Sequence, residues 1–468
     1  MMQSRRDFLG RCCGGMGGLA LGSLLARAQD LSNPLAPRRP HFPAKAKRVI
    51  YLFQYGGPSQ VDTWDRKPLL AELDGKPVPA AVKAKKDKVG GVFGGCHDKL
   101  MAPPWKWERY GKSGLEASEV VKHTAAHADD LCLIKSMVAD SSNHAPATYQ
   151  MNTGVILPGK PSMGSWLSYG LGSENQNLPG YVLLFKVGGL GGAANWSNAF
   201  LPAAYQGTKF RPEGAPVLHL QPPEAFAESQ RPTIDAIQEF NRLHRDERPG
   251  VLDLDGRIAS YELAYRMQAE AMDVGDLGQE SRETIDAYGV NSPNKEAALY
   301  GRMCLLARRL SEKGVRFVQL YSAMDKFGWD GHDKSHDYHR RNGETTDRGT
   351  AALLWDLKRR GLLDETLVIW GGEFGRTPME QGGGGRNHNP YGFTVWLAGG
   401  GVRGGQAIGA TDEIGLRAEV DPRPVKDLHA TILTAMGLRP DDLFFEANGR
   451  QERLTGVAGT SKIIPGVL

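Results

Sequence analysis

The 468-residue sequence predicts an α/β protein, a mostly parallel sheet with helices on both faces. Three observations carry this. Short apolar runs alternate with helical stripes along the whole chain. The runs are unbroken, Leu367-Val368-Ile369-Trp370 being the clearest, as strands covered on both faces require. Each run opens into a glycine-rich or turn segment bearing polar side chains, and ligands in open α/β sheets bind beyond the carboxyl ends of strands.

Composition narrows the class further. With 40% hydrophobic and 24% charged residues the chain can bury a large core, and a net charge of +4 creates no field that implies nucleic acid or an anionic membrane as partner. The basic run Lys83, Lys85, Lys86, Lys88 has no interleaved aromatics to stack on bases and reads as a solvated loop. Met1–Ala28 reads as a twin-arginine signal: Ser4-Arg5-Arg6-Asp7-Phe8-Leu9, then a Gly/Ala/Leu stretch, then Ala26-Arg27-Ala28. Its apolar part, Cys12 to Ala26, falls short of the roughly 20 residues of a membrane span. The expected location is therefore periplasmic or extracellular, with the twin-arginine translocase as partner during export and no stable membrane span. Beyond the signal, Cys96, Cys132 and Cys304 lie far apart with no Cys-x-x-Cys spacing. Cys132 and Cys304 read as small buried hydrophobes, while a disulfide involving Cys96 stays open.

In chain order, residues 29–47 form a Pro-rich linker, and Arg48–Gln54 is the first buried strand. The turn after it, Gly56 to Thr63, brings Ser59 and Asp62 to the strand's carboxyl end, either as site residues or as parts of a tight strand-to-helix turn. His123 and His127 have the spacing of two ligands on one helix face, but no third ligand is nearby, so a surface pair is expected. Leu131–Met137 is a strand leading to Ser141–Pro146 and on to Thr153-Gly154. Tyr181–Lys186 is a short strand, and residues 187–250, rich in Gly and Pro, read as an insertion or lid. Ile258, Tyr261, Tyr265 and Met272 are expected to pack one helix face into the core. In the next helix Ser292 caps, Pro293 takes the first turn, Leu299, Met303, Leu306 and Leu310 form the stripe, and Gly314 stops it.

The strand Val315–Tyr321 then opens into the densest ligand cluster, three aspartates and three histidines within Asp330–His339. Asp and His suit zinc, manganese or a mixed site better than a thiol-loving metal. Asp330 and His332, nearest the strand end, are the candidate ligands, and Asp333, His336, Asp337 and His339 are expected to face solvent on the following helix. That helix carries Leu353, Leu354 and Leu357 and ends at Gly361. The strand Leu367–Trp370 runs into a glycine-rich loop holding Glu373, Arg376 and His388. Phe393–Ala398 is a further strand, and a closing helix is capped by Asp427 and ended by Gly437.

Ordered motifs across Ser4–Leu468 now add a family likeness: SRRDFL, YGGPSQVDTWD, LARRLSEKGVRFVQLY followed by WDGH, GLLDETLVIWGGEFGRTP, GRNHNP, AGGGVRGG, GATDEIG and DLHATILTAMGL. Together they resemble the domain of unknown function 1501 family, which looks like a branch of the alkaline phosphatase and sulfatase superfamily. The resemblance implies a three-layer α/β/α sandwich over residues 48–468, with metal ligands and nucleophile on loops at strand carboxyl ends and a divalent ion, zinc, manganese or calcium, as cofactor. Carried over residue by residue, it departs from the superfamily pattern. Gln54 stands where the first strand would end in a metal-binding aspartate, with Asp62 further on. The nucleophile position, nine residues before Thr153-Gly154, holds His144, with Pro146 in the proline's place. An expected Asp-His pair is replaced by Glu373-Phe374. His388 matches the late histidine, and Asp330 with His332 matches an Asp and His pair.

The expected metal ligands are thus Asp330, His332, Glu373, His388 and Asp62, and the expected catalytic residues are His144, Arg376 and Ser59. His144 could be nucleophile, base or ligand, and Arg376 would steady oxyanion charge. The implied function is an exported metal-dependent hydrolase of sulfate or phosphate esters, acting on an anionic small molecule or a sulfated or phosphorylated glycan. The alternative is a non-catalytic exported binding protein for an anionic glycan or protein partner. Export itself is directly testable: Arg5→Lys together with Arg6→Lys is expected to retain the precursor in the cytoplasm, because the signal is read through its arginine pair. Undiminished delivery of the double variant, measured by cell fractionation, refutes the signal assignment.

Overall fold

The computed structural model describes residues 33–83, 96–97, 99–248 and 252–468. The expected export signal and most of the basic run lie outside the described residues. The main sheet contains β1 (Arg48–Phe53), β2 (Leu131–Val138), β3 (Tyr181–Leu184), β4 (Thr208–Phe210), β5 (Phe317–Tyr321) and β6 (Thr366–Gly371). After a separate hairpin, β7 (Gly375–Gln381) and β8 (Gly385–Asn389), it continues with β9 (Phe393–Ala398) and β10 (Gln406–Ile408). The strand order is β10-β2-β9-β6-β1-β5-β3-β4, with Arg423–Pro424 adding beside β2. Pairing is parallel except along β9, which runs antiparallel to both β2 and β6.

The principal helices are α1 (His144–Thr153), α2 (Met163–Leu171), α3 (Ala227–Asp246), α4 (Leu252–Gly275), α5 (Lys295–Glu312), α6 (Ser335–Arg359) and α7 (Val425–Ala435). Alternation along a strand divides the core in two. Val49, Tyr51 and Phe53 of β1 pack with Trp166 and Leu167 of α2 and with Ile432 and Leu433 of α7. Ile50 and Leu52 pack on the other face with Tyr300 and Met303 of α5 and Leu353 and Leu354 of α6. Helices thus cover both faces, and the three-layer α/β/α sandwich follows. Each fully buried apolar side chain contributes roughly 1.5–3 kcal/mol.

Register decides where the loops go. Phe53 of β1 stands level with Gly371 of β6 and Tyr321 of β5, so the segments following all three strands leave the sheet at one edge. Antiparallel β9 begins at that same edge, with Phe393 opposite Met137 of β2, and therefore brings the preceding hairpin there too.

Local expectations fare unevenly. Gly314 does end α5, at φ +86°, and Met303, Leu306 and Leu310 are buried. The cap, however, is Asn294, whose side chain accepts the Glu296 and Ala297 N–H groups, while Ser292 supports it by accepting the Asn294 N–H. Asp427 lies inside the first turn of α7 and accepts the Lys462 N–H. In α4 the core face is Met267, Ala271 and Val274, and Tyr261 and Met272 are exposed, so the expected stripe was the wrong side of the helix. The helix at Lys122–Ala125 is a single turn that stops before His127, so one helix does not carry both histidines. Residues 187–250 carry the 20-residue α3, which the glycine and proline content concealed. Residues 33–47, expected as a linker, lie along the body: Lys45 and Ala46 N–H groups donate to the Ala435 carbonyl and Arg38 N–H to that of Leu171. Cys96, Cys132 and Cys304 are free thiols.

Gly314 offers a sharp test of the helix stop. Its left-handed backbone and the Glu174 Cβ 3.3 Å from an added Cβ make Gly314→Val costly, roughly 1–2 kcal/mol from backbone strain alone. A Tm equal to that of the natural protein contradicts this.

Candidate metal centre

The loop after β5 is fixed before any ligand is placed. Gln54 at the end of β1 is buried and accepts the Trp329 indole N–H at 3.1 Å, while Trp329 N–H donates to the Tyr55 carbonyl at 3.1 Å. Gln54 therefore anchors the residue next to Asp330. Gly56, at φ +104°, lies so close that a Cβ there would meet Trp329 N at 2.4 Å and Asp330 N at 2.7 Å. Only glycine tolerates both that backbone and that approach.

Around Asp330 stand three imidazoles. His144 opens α1, His332 follows Asp330 by two residues, and His388 lies on β8. One ligand atom from each of His144, Asp330, His332 and His388 falls within 4.8 Å of all the others. His144 Nε2 is 3.2 Å from Asp330 Oδ2, and His332 and His388 Nε2 are 2.9 and 3.2 Å from Oδ1. The second ring nitrogens are committed elsewhere. His144 Nδ1 donates to Glu373 Oε1 at 2.6 Å, His332 Nδ1 to Gln381 Oε1 at 2.5 Å, and His388 Nδ1 to the Ser142 carbonyl at 2.6 Å. Each acceptor fixes the tautomer that leaves an Nε2 lone pair facing the carboxylate. His332 and His388 bring two such nitrogens within 2.9 Å of each other, a contact that only a shared proton or a metal cation makes favourable. This is the arrangement of metal-ligating histidines, whose outer nitrogens donate to carboxylate or carbonyl oxygens.

Electrostatics agrees. Burial opposes ionisation of Asp330, but its contacts with His144, His332 and His388 and the Arg376 cation hold the carboxyl well below its usual range. Burial, with Arg376 beside it, holds His388 down to about 3, so this imidazole is neutral as a ligand must be. His144 differs: burial pulls it downward, but the Asp330 and Glu373 carboxylates outweigh burial and the net shift is upward, so a cation at the centre would have to displace a proton from this ring.

Not every expected residue joins the centre. Glu373 is fully buried and stands behind His144, its oxygens accepting the Gly56 N–H at 3.0 and 3.2 Å as well as the His144 Nδ1–H. Arg376 is also fully buried, and its donors go to protein oxygens: Gly57 and Gly56 carbonyls, the Arg386 carbonyl, and Asp330 Oδ1 at 2.7 Å. It braces Asp330 rather than facing a ligand. Asp62 lies outside the cluster, its carboxylate 2.8 Å from Arg386 Nε and accepting the Trp105 indole N–H at 2.9 Å, with both Asp62 and Arg386 buried. Ser59 is buried too, and its backbone N–H donates to His339 Nε2. His339, expected in solvent, is fully buried for that reason, whereas Asp333 and Asp337 are exposed.

The supporting residues that sequence reasoning missed are Gln381, the Ser142 carbonyl, Arg386 and Phe374, whose ring stacks on His388 at 4.6 Å. Gln381 and His388 share a hairpin in which His388 is paired with Arg376. Its sequence signal was a tight glycine turn, Gly382–Gly384, between two short segments, read instead as one loop.

The family model described as protein of unknown function (DUF1501) matches residues 46–468. The chain belongs to the DUF1501 family. No curated protein matches the sequence. Among solved structures, this DUF1501 chain is similar to the lipoteichoic acid synthase LtaP from Listeria monocytogenes, at 10% identity over 92% of this chain and 80% of that one, TM-score 0.38. It is likewise similar to the PsFucS1 sulfatase from Pseudoalteromonas sp., at 12% identity over 88% and 70%, TM-score 0.35. The alkaline phosphatase from the Antarctic bacterium TAB5 gives 10% identity over 85% and 99%, TM-score 0.35. At these identities and scores, the chemistry of the DUF1501 centre rests on its own residues.

The geometry separates two acids that sequence placed together. Asp330→Ala and His388→Ala are each expected to lower zinc affinity at least 100-fold by removing a donor atom. Asp62→Asn is expected to keep the metal and lose about 3 kcal/mol of stability, since Arg386 is left buried without its counter-ion. Zinc titration and thermal unfolding of the three variants check this, and loss of zinc from Asp62→Asn alone reverses the assignment.

Proposed function

We propose that this chain is an exported metal-dependent hydrolase of sulfate or phosphate esters, using His144, Asp330, His332 and His388 to hold one divalent ion. The carrying observation is the convergence of three Nε2 lone pairs on one carboxylate, with every Nδ1 already donated. The nitrogen-rich donor set suits zinc or manganese; calcium, which takes six to eight oxygens, fits it less well. A divalent ion supplies Lewis-acid polarisation of an ester oxygen and activation of water.

The chain's own part is positioning. Asp330 and His332 keep 17% and 39% of their side chains exposed, so an ester reaches the centre from that side, while His144 and Glu373 close the opposite side. Glu373 holds the proton on His144 Nδ1, and Arg376 holds Asp330 in place. With Nε2 turned to the centre and Nδ1 hydrogen-bonded, His144 acts as a ligand and has no nitrogen left for attack. The cluster offers no hydroxyl or thiol either, and the nucleophile in this reading is water.

That same lack of a side-chain nucleophile favours the second reading, an exported binding protein that retains metal and anion without turnover. Elemental analysis of the mature protein, with assays on 4-nitrophenyl sulfate and 4-nitrophenyl phosphate, separates the two. The hydrolase predicts about one zinc or manganese per chain, turnover abolished by chelation or by His388→Ala, and recovery of the natural protein on metal addition. Metal-free protein, or turnover indifferent to chelator, contradicts it.

A further inference from the structure

Charge around the centre narrows the substrate, on the proposed reading that one divalent ion is bound there. Among the described residues, the ion-pair partners of Asp330 are the three histidines and Arg376, and Glu373 pairs with His144 alone. With the ion in place the imidazoles are neutral. The Asp330 and Glu373 carboxylates then offset the divalent charge, and the Arg376 guanidinium leaves one positive charge. The Asp62–Arg386 pair is self-compensated. The α1 N-terminus, which begins at His144, adds a partial charge of roughly half a unit.

We infer that the centre selects tetrahedral esters carrying a single negative charge, sulfate monoesters or phosphodiesters, over doubly charged phosphate monoesters. A dianion gains most from a guanidinium that can turn a fork of donors toward it, and Arg376, fully buried and bonded to protein oxygens, cannot do so. A second negative charge doubles the attraction to a site of that net charge but roughly quadruples the cost of leaving water, so the dianion is left under-compensated. Glu373 is the residue that sets this balance. It does not touch the ester, and it acts through the charge it adds behind His144 and through the orientation of that ring.

The test uses zinc-loaded mature protein and calorimetric titration with methyl sulfate, dimethyl phosphate and methyl phosphate. The pH is held at about 8.5, well above the second phosphate ionisation near 6. The two monoanions are expected to bind at least tenfold tighter than the dianion. Glu373→Gln, with its zinc content measured on the same samples, is expected to narrow that gap at least threefold by deleting one negative charge. Turnover of 4-nitrophenyl sulfate against bis(4-nitrophenyl) phosphate tells the two ester sources apart. Methyl phosphate binding as tightly as the monoanions, or no anion binding to zinc-loaded protein, overturns the inference and leaves the metal centre standing. Failure to bind zinc overturns both, so the two failures are distinguishable even where Glu373→Gln loses its metal, because the natural protein decides alone.

Discussion

Everything in this molecule turns on one local repulsion. Three imidazole nitrogens and a carboxylate converge with their lone pairs facing one another, each imidazole locked in that tautomer by an oxygen behind it. Such a group costs free energy unless a positive charge lies among its members. Arg376 donates to Asp330 Oδ1 at 2.7 Å, the oxygen that His332 and His388 also approach, while His144 faces Oδ2. A protein that assembles this arrangement gives up stability at the site, and the sheet beneath makes up the loss.

The supporting framework explains how separate segments reach one point. Level strand ends carry the loops after β1, β5 and β6 to a common edge, and antiparallel β9 hangs the β7–β8 hairpin over it. Arg386 N–H donates to the Gly331 carbonyl and Ser335 N–H to that of Gly384, which stitch the hairpin to the loop of Asp330 and His332. The buried Asp62–Arg386 pair ties the same hairpin to the turn after β1. Such a pair adds little net stability, but breaking it leaves a naked charge, so its value lies in holding one geometry.

Much of this was legible in the sequence, and the boundary has physical causes. Unbroken apolar runs announced the buried parallel strands because burial on both faces leaves no other pattern, and Asp330, His332 and His388 were named from their places beyond strand ends. Roles were harder to read than places. Asp62, Glu373 and Arg376 are the same residue types whether they face a ligand or each other, and only the fold shows that their partners are Arg386, His144 and Asp330. Gln54 looked like a lost ligand, yet its amide oxygen is what positions Trp329 and hence Asp330. In α4 both faces carry apolar side chains, so periodicity alone could not choose between them: Met267, Ala271 and Val274 are buried, Ile258 and Tyr265 are half-buried, and Tyr261 and Met272 are exposed.

The central claim is that one ion sits among His144, Asp330, His332 and His388. The most direct measurement is anomalous diffraction at the zinc edge from crystals of the protein grown with zinc. The account predicts a single strong peak within about 2.0–2.2 Å of the three Nε2 atoms and an Asp330 oxygen. A peak beside Asp62 and Arg386, or none at the four-residue cluster, contradicts it.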